Sequence, residues 1–337
     1  MSYTNGLDNP HLYFQCKLYT GNSTDDTSIT LDGDENMSPN LVWLKRRDAA
    51  GRNRLFDTVR GATKSMRSDD GEAEITAADS LKSFDSDGFT LGADSASGGI
   101  NVNINTETMV AWCFKESATA GFDIVGYSGN ETNRTISHSL SAAPHLMIIK
   151  NRDSSFQWVV YHHKNTSAPE TDYLYLSSNA ATADFAGHFN DTAPTSSVFT
   201  VGTDTGVNKN SQNHIAYLWS EKQGFSKFSS FRGNSNSDGV FVMCGFRPSM
   251  VWIKRTEGSN HWFIWDKHRD GFNESNEYLK ADASEAESDG VNRINILSNG
   301  FKITTSNDGV NAEEEYIFMA WADAPFVNSN GVPCNAR

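Results

Sequence analysis

Three copies of one phrase set the plan of this chain. Pro39-Asn-Leu-Val-Trp-Leu-Lys45 returns as Pro144-His-Leu-Met-Ile-Ile-Lys150 and again as Pro248-Ser-Met-Val-Trp-Ile-Lys254, with the closing lysines 105 and 104 residues apart. A second phrase keeps the same period: Val110-Ala-Trp112, Ile215-Ala-Tyr217 and Met319-Ala-Trp321. A repeat of roughly 100 residues is too long for a solenoid turn and matches one β-sandwich domain, a size that buries a core of its own. The 337 residues therefore divide into units at 1–120, 121–223 and 224–327, followed by a polar tail at 328–337. No linker separates the units, so the expectation is a row of beads packed close together.

The text between the anchors reads as strands and turns. Each unit opens on an aromatic–x–Gly–Asn step, at Tyr19–Asn22, Tyr127–Asn130 and Phe231–Asn234, and each carries a later Val-Asn pair, at Asn103, Asn208 and Asn311. Val110, Trp112 and Phe114 alternate with smaller residues, which places them on one face of a strand. Leu41–Lys45 is apolar on both faces, as in a strand covered on both sides. Clusters such as Asp85-Ser-Asp-Gly88 and Ser306-Asn-Asp-Gly309 supply the turns. Helical periodicity is confined to about 70–82, where a short helix fits. The fold expected is all-β, in three tandem homologous sandwiches of jelly-roll type.

Composition narrows the function classes. Forty-two acidic against 28 basic side chains leave a net charge of −14, the wrong sign for nucleic acid or for anionic lipid. Aromatic residues at 11% are too many for a disordered acidic chain. No stretch approaches the roughly 20 apolar residues of a membrane span, and the first residues lack the features of a secretory signal. Folding in a cytoplasm is expected. Cys16, Cys113, Cys244 and Cys334 are far apart in sequence, which suggests buried free thiols and one thiol in the tail rather than a disulfide framework or a zinc site.

The chemistry-bearing residues form few patterns. All eight tryptophans fall in strand-like segments, and most recur between units as bulky apolar positions, so they read as core. Lys45, Lys150 and Lys254 are the candidates for ligand or receptor contact. Trp43 and Lys45 share a strand face, so the stem can lie along the ring. Each of these lysines reads either as a snorkelling or salt-bridged side chain or as a contact for an anionic glycan. Asp32, Asp34 and Glu35 resemble part of an oxygen-rich calcium loop but lack its closing Glu, so they read either as metal ligands or as a solvated turn. No nucleophile elbow, cysteine–histidine signature, metal-spaced histidine set or phosphate loop appears. No catalytic residue and no cofactor are predicted, and the chain is not expected to be an enzyme.

Several phrases together resemble a known module. Tyr-x-Gly-Asn, then Pro-x-(four apolar)-Lys-x-Arg-Asp, then Tyr173-Leu-Tyr-Leu-Ser-Ser-Asn179, Glu221-Lys-Gln-Gly-Phe-Ser-Lys-Phe228 and Gly245-Phe-Arg-Pro248 are similar to a repeated domain of uncharacterised function in tail and virion proteins of marine bacteriophages. That domain often accompanies concanavalin-like or laminin-G-like sandwiches. The likeness runs from about residue 12 to 327 and is weakest in the first unit, where Asn53 stands in place of Trp158 and Trp262. It implies a virion structural protein, most simply a tail fibre or tail-associated adhesin that meets the host surface. Alternatives are a capsid decoration or head-fibre protein, or a soluble carbohydrate-binding module of lectin type. The implied partners are other virion proteins and a host glycan or protein, in a homo-oligomer that is trimeric by analogy. The resemblance supplies no site residues.

Overall fold

The computed structural model describes residues 4, 6–94, 100–290 and 292–334. The last three residues of the tail predicted at 328–337 lie outside them. The protein is all-β, with antiparallel pairing throughout its named strands and, among the described residues, only short helical turns of three or four residues. No helix of the described residues is long and apolar enough to cross a membrane.

Three large sheets follow one strand order. In the first, Phe14–Thr20 pairs with Thr108–Phe114, which pairs with Leu41–Arg46, followed by Arg54–Asp57, Lys64–Arg67 and Ile75–Thr76. In the second the order is Phe122–Ser128, Asn213–Trp219, Leu146–Asn151, Val159–His162, Asp172–Tyr175 and Ala183–Asp184. In the third it is Ser226–Arg232, Glu315–Pro325, Phe246–Arg255, Phe263–Asp266 and Leu279–Lys280. Three small sheets accompany them. Thr27–Thr30, Gly88–Leu91 and Leu81–Asp85 form one, Arg134–Ser137 and Val198–Val201 a second, and Phe241–Met243, Gly300–Ile303 and Ile294–Leu297 a third.

The repeated phrase is apolar on both faces because both are covered. Val42 and Leu44 pack with Phe56, Phe89 and Leu91, between the first large sheet and its small one. Met147 and Ile149 do the same with Phe199 and Val201. The opposite faces meet one another. Trp43 and Trp112, Ile148 and Tyr217, and Trp252 and Trp321 belong to one continuous cluster drawn from all three large sheets. Ring centroids lie 5.0 Å apart for Trp43–Trp252, 5.8 Å for Phe114–Trp219 and 6.2 Å for Trp219–Trp321, so every pair of sheets is in contact. Each sheet thus packs on both of the others, and faces that a free bead would expose are buried against them. All eight tryptophans are buried, as are Cys16, Cys113 and Cys244, while Cys334 is exposed and no disulfide forms.

The helix expected at 70–82 is absent. Ile75–Thr76 is a short strand paired with Lys64–Ser65, and Leu81 begins another strand. Tertiary contacts override local propensity here. The Glu74 N–H donates to the Arg152 carbonyl at 2.8 Å, and its carboxylate accepts from both Arg60 and Arg152. A helix could not offer backbone and side chain to the neighbouring sheet in this way.

Candidate functional site

Two repeated polar features come out of this arrangement. The first closes each sheet pair locally. The buried Asn103, Asn208 and Asn311 each accept at Oδ1, at 3.0 Å, from the backbone N–H of Asn22, Asn130 and Asn234 respectively. Their Nδ2 groups donate to two carbonyls each, for example Thr132 and Gly202 from Asn208, at 2.8 and 2.7 Å. The glycine of each Gly-Asn step is required by close approach. A β-carbon on Gly21, Gly129 or Gly233 would sit 2.2, 2.1 or 2.0 Å from the carbonyl oxygen of Ile104, Lys209 or Ala312.

The second feature runs between the large sheets and contains the three candidate lysines. Lys45, Lys150 and Lys254 are fully buried. None makes an ion pair among the described residues; each ammonium donates to carbonyls instead. Lys45 Nζ reaches Gly51 at 2.5 Å and, in the third segment, Ala283 at 3.0 Å. Lys150 Nζ reaches Asn151 at 2.7 Å, Ser154 at 3.3 Å and, in the first segment, Gly71 at 3.1 Å. Lys254 Nζ reaches Arg255 at 2.7 Å and, in the second segment, Asn179 at 3.4 Å. Burial, which disfavours the charged form, pushes each of the three down to about 8. These side chains neither snorkel to solvent nor meet a carboxylate, and no glycan can reach them from outside.

Neighbouring groups repeat the same direction of contact. Trp158 Nε1 donates to Arg67 O at 2.7 Å, and Trp262 Nε1 to Tyr175 O at 2.9 Å. Asn53, the departure from the repeated tryptophan, performs this task with its amide, donating to Lys280 O and Ala283 O at 3.0 and 3.1 Å while accepting from Trp43 Nε1. Backbone N–H groups return the contact in the opposite direction: Glu74 donates to Arg152 O, Thr182 to Thr256 O and Glu287 to Arg47 O, at 2.8, 2.9 and 2.8 Å. Buried carboxylates add two more ties, with Asp57 accepting from Tyr217 Oη at 2.6 Å and Asp266 from Trp112 Nε1 at 3.1 Å. In the lysine and Trp/Asn contacts the second segment holds the first, the third holds the second and the first holds the third. The chain closes into a ring of three sheets.

The acidic candidates do not assemble. Asp32, Asp34 and Glu35 are exposed. Asp32 pairs with Lys17 at 3.0 Å and Asp34 with His11 at 3.5 Å. None of the three belongs to a cluster close enough to ligate one ion among the described residues. Cys16, Asp266 and His268 do lie together, with ligand atoms within 4.8 Å of one another. The chemistry does not fit a metal, because Asp266 already accepts the N–H groups of His268 and Arg269, the Arg269 guanidinium at 2.5 Å and the Trp112 indole.

Sequence reasoning missed the direction of the lysine contacts, since strand alternation locates a side chain on a face and cannot say what covers that face. It also missed Arg54, a charged residue at a position that is Val159 and Phe263 in the other segments. The recurrence of an apolar type at one period was the signal available.

Sheets of one order joined around a common core, with polar ties between them, define a multi-sheet all-β protein. The chain matches, over residues 9–325, the family described as Domain of unknown function (DUF7483), and it belongs to that family. No curated protein matches it.

Proposed function

We propose that this chain is a structural component of a phage virion, a tail fibre or tail-associated adhesin that meets the host surface, built from three tandem sandwich domains at 1–120, 121–223 and 224–327. The observation that supports the reading is the threefold recurrence of the aromatic–x–Gly–Asn step and of the phrase ending in Lys45, Lys150 and Lys254, both similar to phage tail and virion domains. The lysines, asparagines and tryptophans that recur are used inside the molecule, to tie sheets together. With a net charge of −14, such a body suits a part that is assembled once and then exposed. The threefold plan within one chain also fits beside fibre proteins, which are commonly trimeric.

Immunogold labelling of purified virions tests the reading. Label on tails, with adsorption blocked by soluble protein, is the expected result. Label confined to the capsid would replace the fibre with a decoration protein, and absence of the chain from virions would overturn the virion role altogether.

A further inference from the structure

Arg54 opens the fourth strand of the first large sheet, where the other two sheets begin the same strand with Val159 and Phe263. Only 8% of the residue is exposed, and its Nε and Nη1 atoms find no hydrogen-bond acceptor among the described residues. Its strand neighbours are Leu44 and Arg67. Two carboxylates are near, and both are engaged elsewhere. Asp69 accepts from Arg52 at 2.8 Å and from the Asn53 N–H at 2.9 Å. Asp70 pairs with Arg67 at 3.0 Å and with Arg52 at 3.3 Å. Three guanidiniums thus face two carboxylates, and the unmatched charge is the most buried of the three. An arginine does not shed its proton near neutral pH, even though burial lowers this one to about 10, so the charge persists and calls for a counter-ion.

The surroundings have room for one. Arg54 lines a cavity of about 270 Å³ at the junction of the first and third segments, whose rim includes Gly51, Arg52, Asn101 and, from the third segment, Ser284. The Gly51 N–H donates to the Ser284 carbonyl at 2.7 Å, so the two walls are held at fixed spacing. Guanidinium groups with hydroxyl and amide neighbours recognise oxygen anions by directed hydrogen bonds.

We infer that this cavity binds a small oxyanion, a sulfate, a phosphate or the carboxylate of a sugar acid, with Arg54 as its anchor. The inference stands apart from the virion role, since it rests on local charge and geometry alone. Calorimetric titration of the full chain with sodium sulfate, phosphate, glucuronate and a sulfated oligosaccharide, each against chloride at matched ionic strength, tests it. One site per chain is expected for at least one of these. Binding should fall at least tenfold in Arg54→Val, which installs the residue found at the second segment's matching position, and in Arg54→Met, which keeps the aliphatic stem. Tighter binding of the free ion than of the sugars identifies a bound ion as occupant, and the reverse ranking identifies a glycan group; either supports the site. Wild-type binding no better than chloride for all four, or equal binding by the folded variants, would overturn it.

Discussion

Lys150 holds three carbonyl dipoles around one ammonium, at a position from which solvent is excluded. Removing the ammonium would leave those oxygens facing one another without a donor, and a buried acceptor left unmatched costs about 1–3 kcal/mol. Lys150→Met is therefore expected to lower unfolding stability by about 2 kcal/mol at pH 7, read from chemical denaturation. The pH dependence has a definite sign. The folded chain releases the Lys150 proton near pH 8, the unfolded chain only near 10.5, so the unfolded state binds more protons between those values. Stability of the natural chain relative to Lys150→Met should rise from about pH 8 to about pH 10.5. A flat difference across that window would show that the ammonium is not buried as described.

At the scale of the element, the Gly-Asn step joins the end of each first strand to the loop carrying the buried asparagine. Gly129→Ala would force a methyl to within 2.1 Å of the Lys209 carbonyl, displacing the loop that feeds Asn208. We expect a loss of about 2–3 kcal/mol, of the size seen for overpacking in a tight interior, measured as a shift in the urea midpoint. Much at this scale was legible beforehand. The strands at Leu41–Arg46, Leu146–Asn151 and Thr108–Phe114, the burial of every tryptophan and the free cysteines follow from alternation and from recurrence at one period. The stretch at 70–82 did not follow, because Glu74 is held by Arg152 from the next segment, a partner no local pattern names. Lys45, Lys150 and Lys254 were recognisable as special by recurrence, yet their role depends on carbonyls such as those of Ala283, Gly71 and Asn179, which any residue type can supply.

Across the whole molecule, one hydrophobic cluster and a directed set of polar contacts pass through all three large sheets. The contact of the first segment on the third, through Lys45 and Asn53 to Ala283, is of the same kind as the contacts between consecutive segments. Closure is therefore made by packing, independently of chain order. Breaking one junction exposes aromatic faces of all three sheets, so the sheets should lose structure together. Differential scanning calorimetry of the full chain tests this most directly, by comparing the calorimetric enthalpy with the van't Hoff enthalpy of the same transition. A single transition with the two enthalpies equal is the predicted result. Separate transitions, or a calorimetric enthalpy about threefold the van't Hoff value as for three independently melting beads, would contradict it.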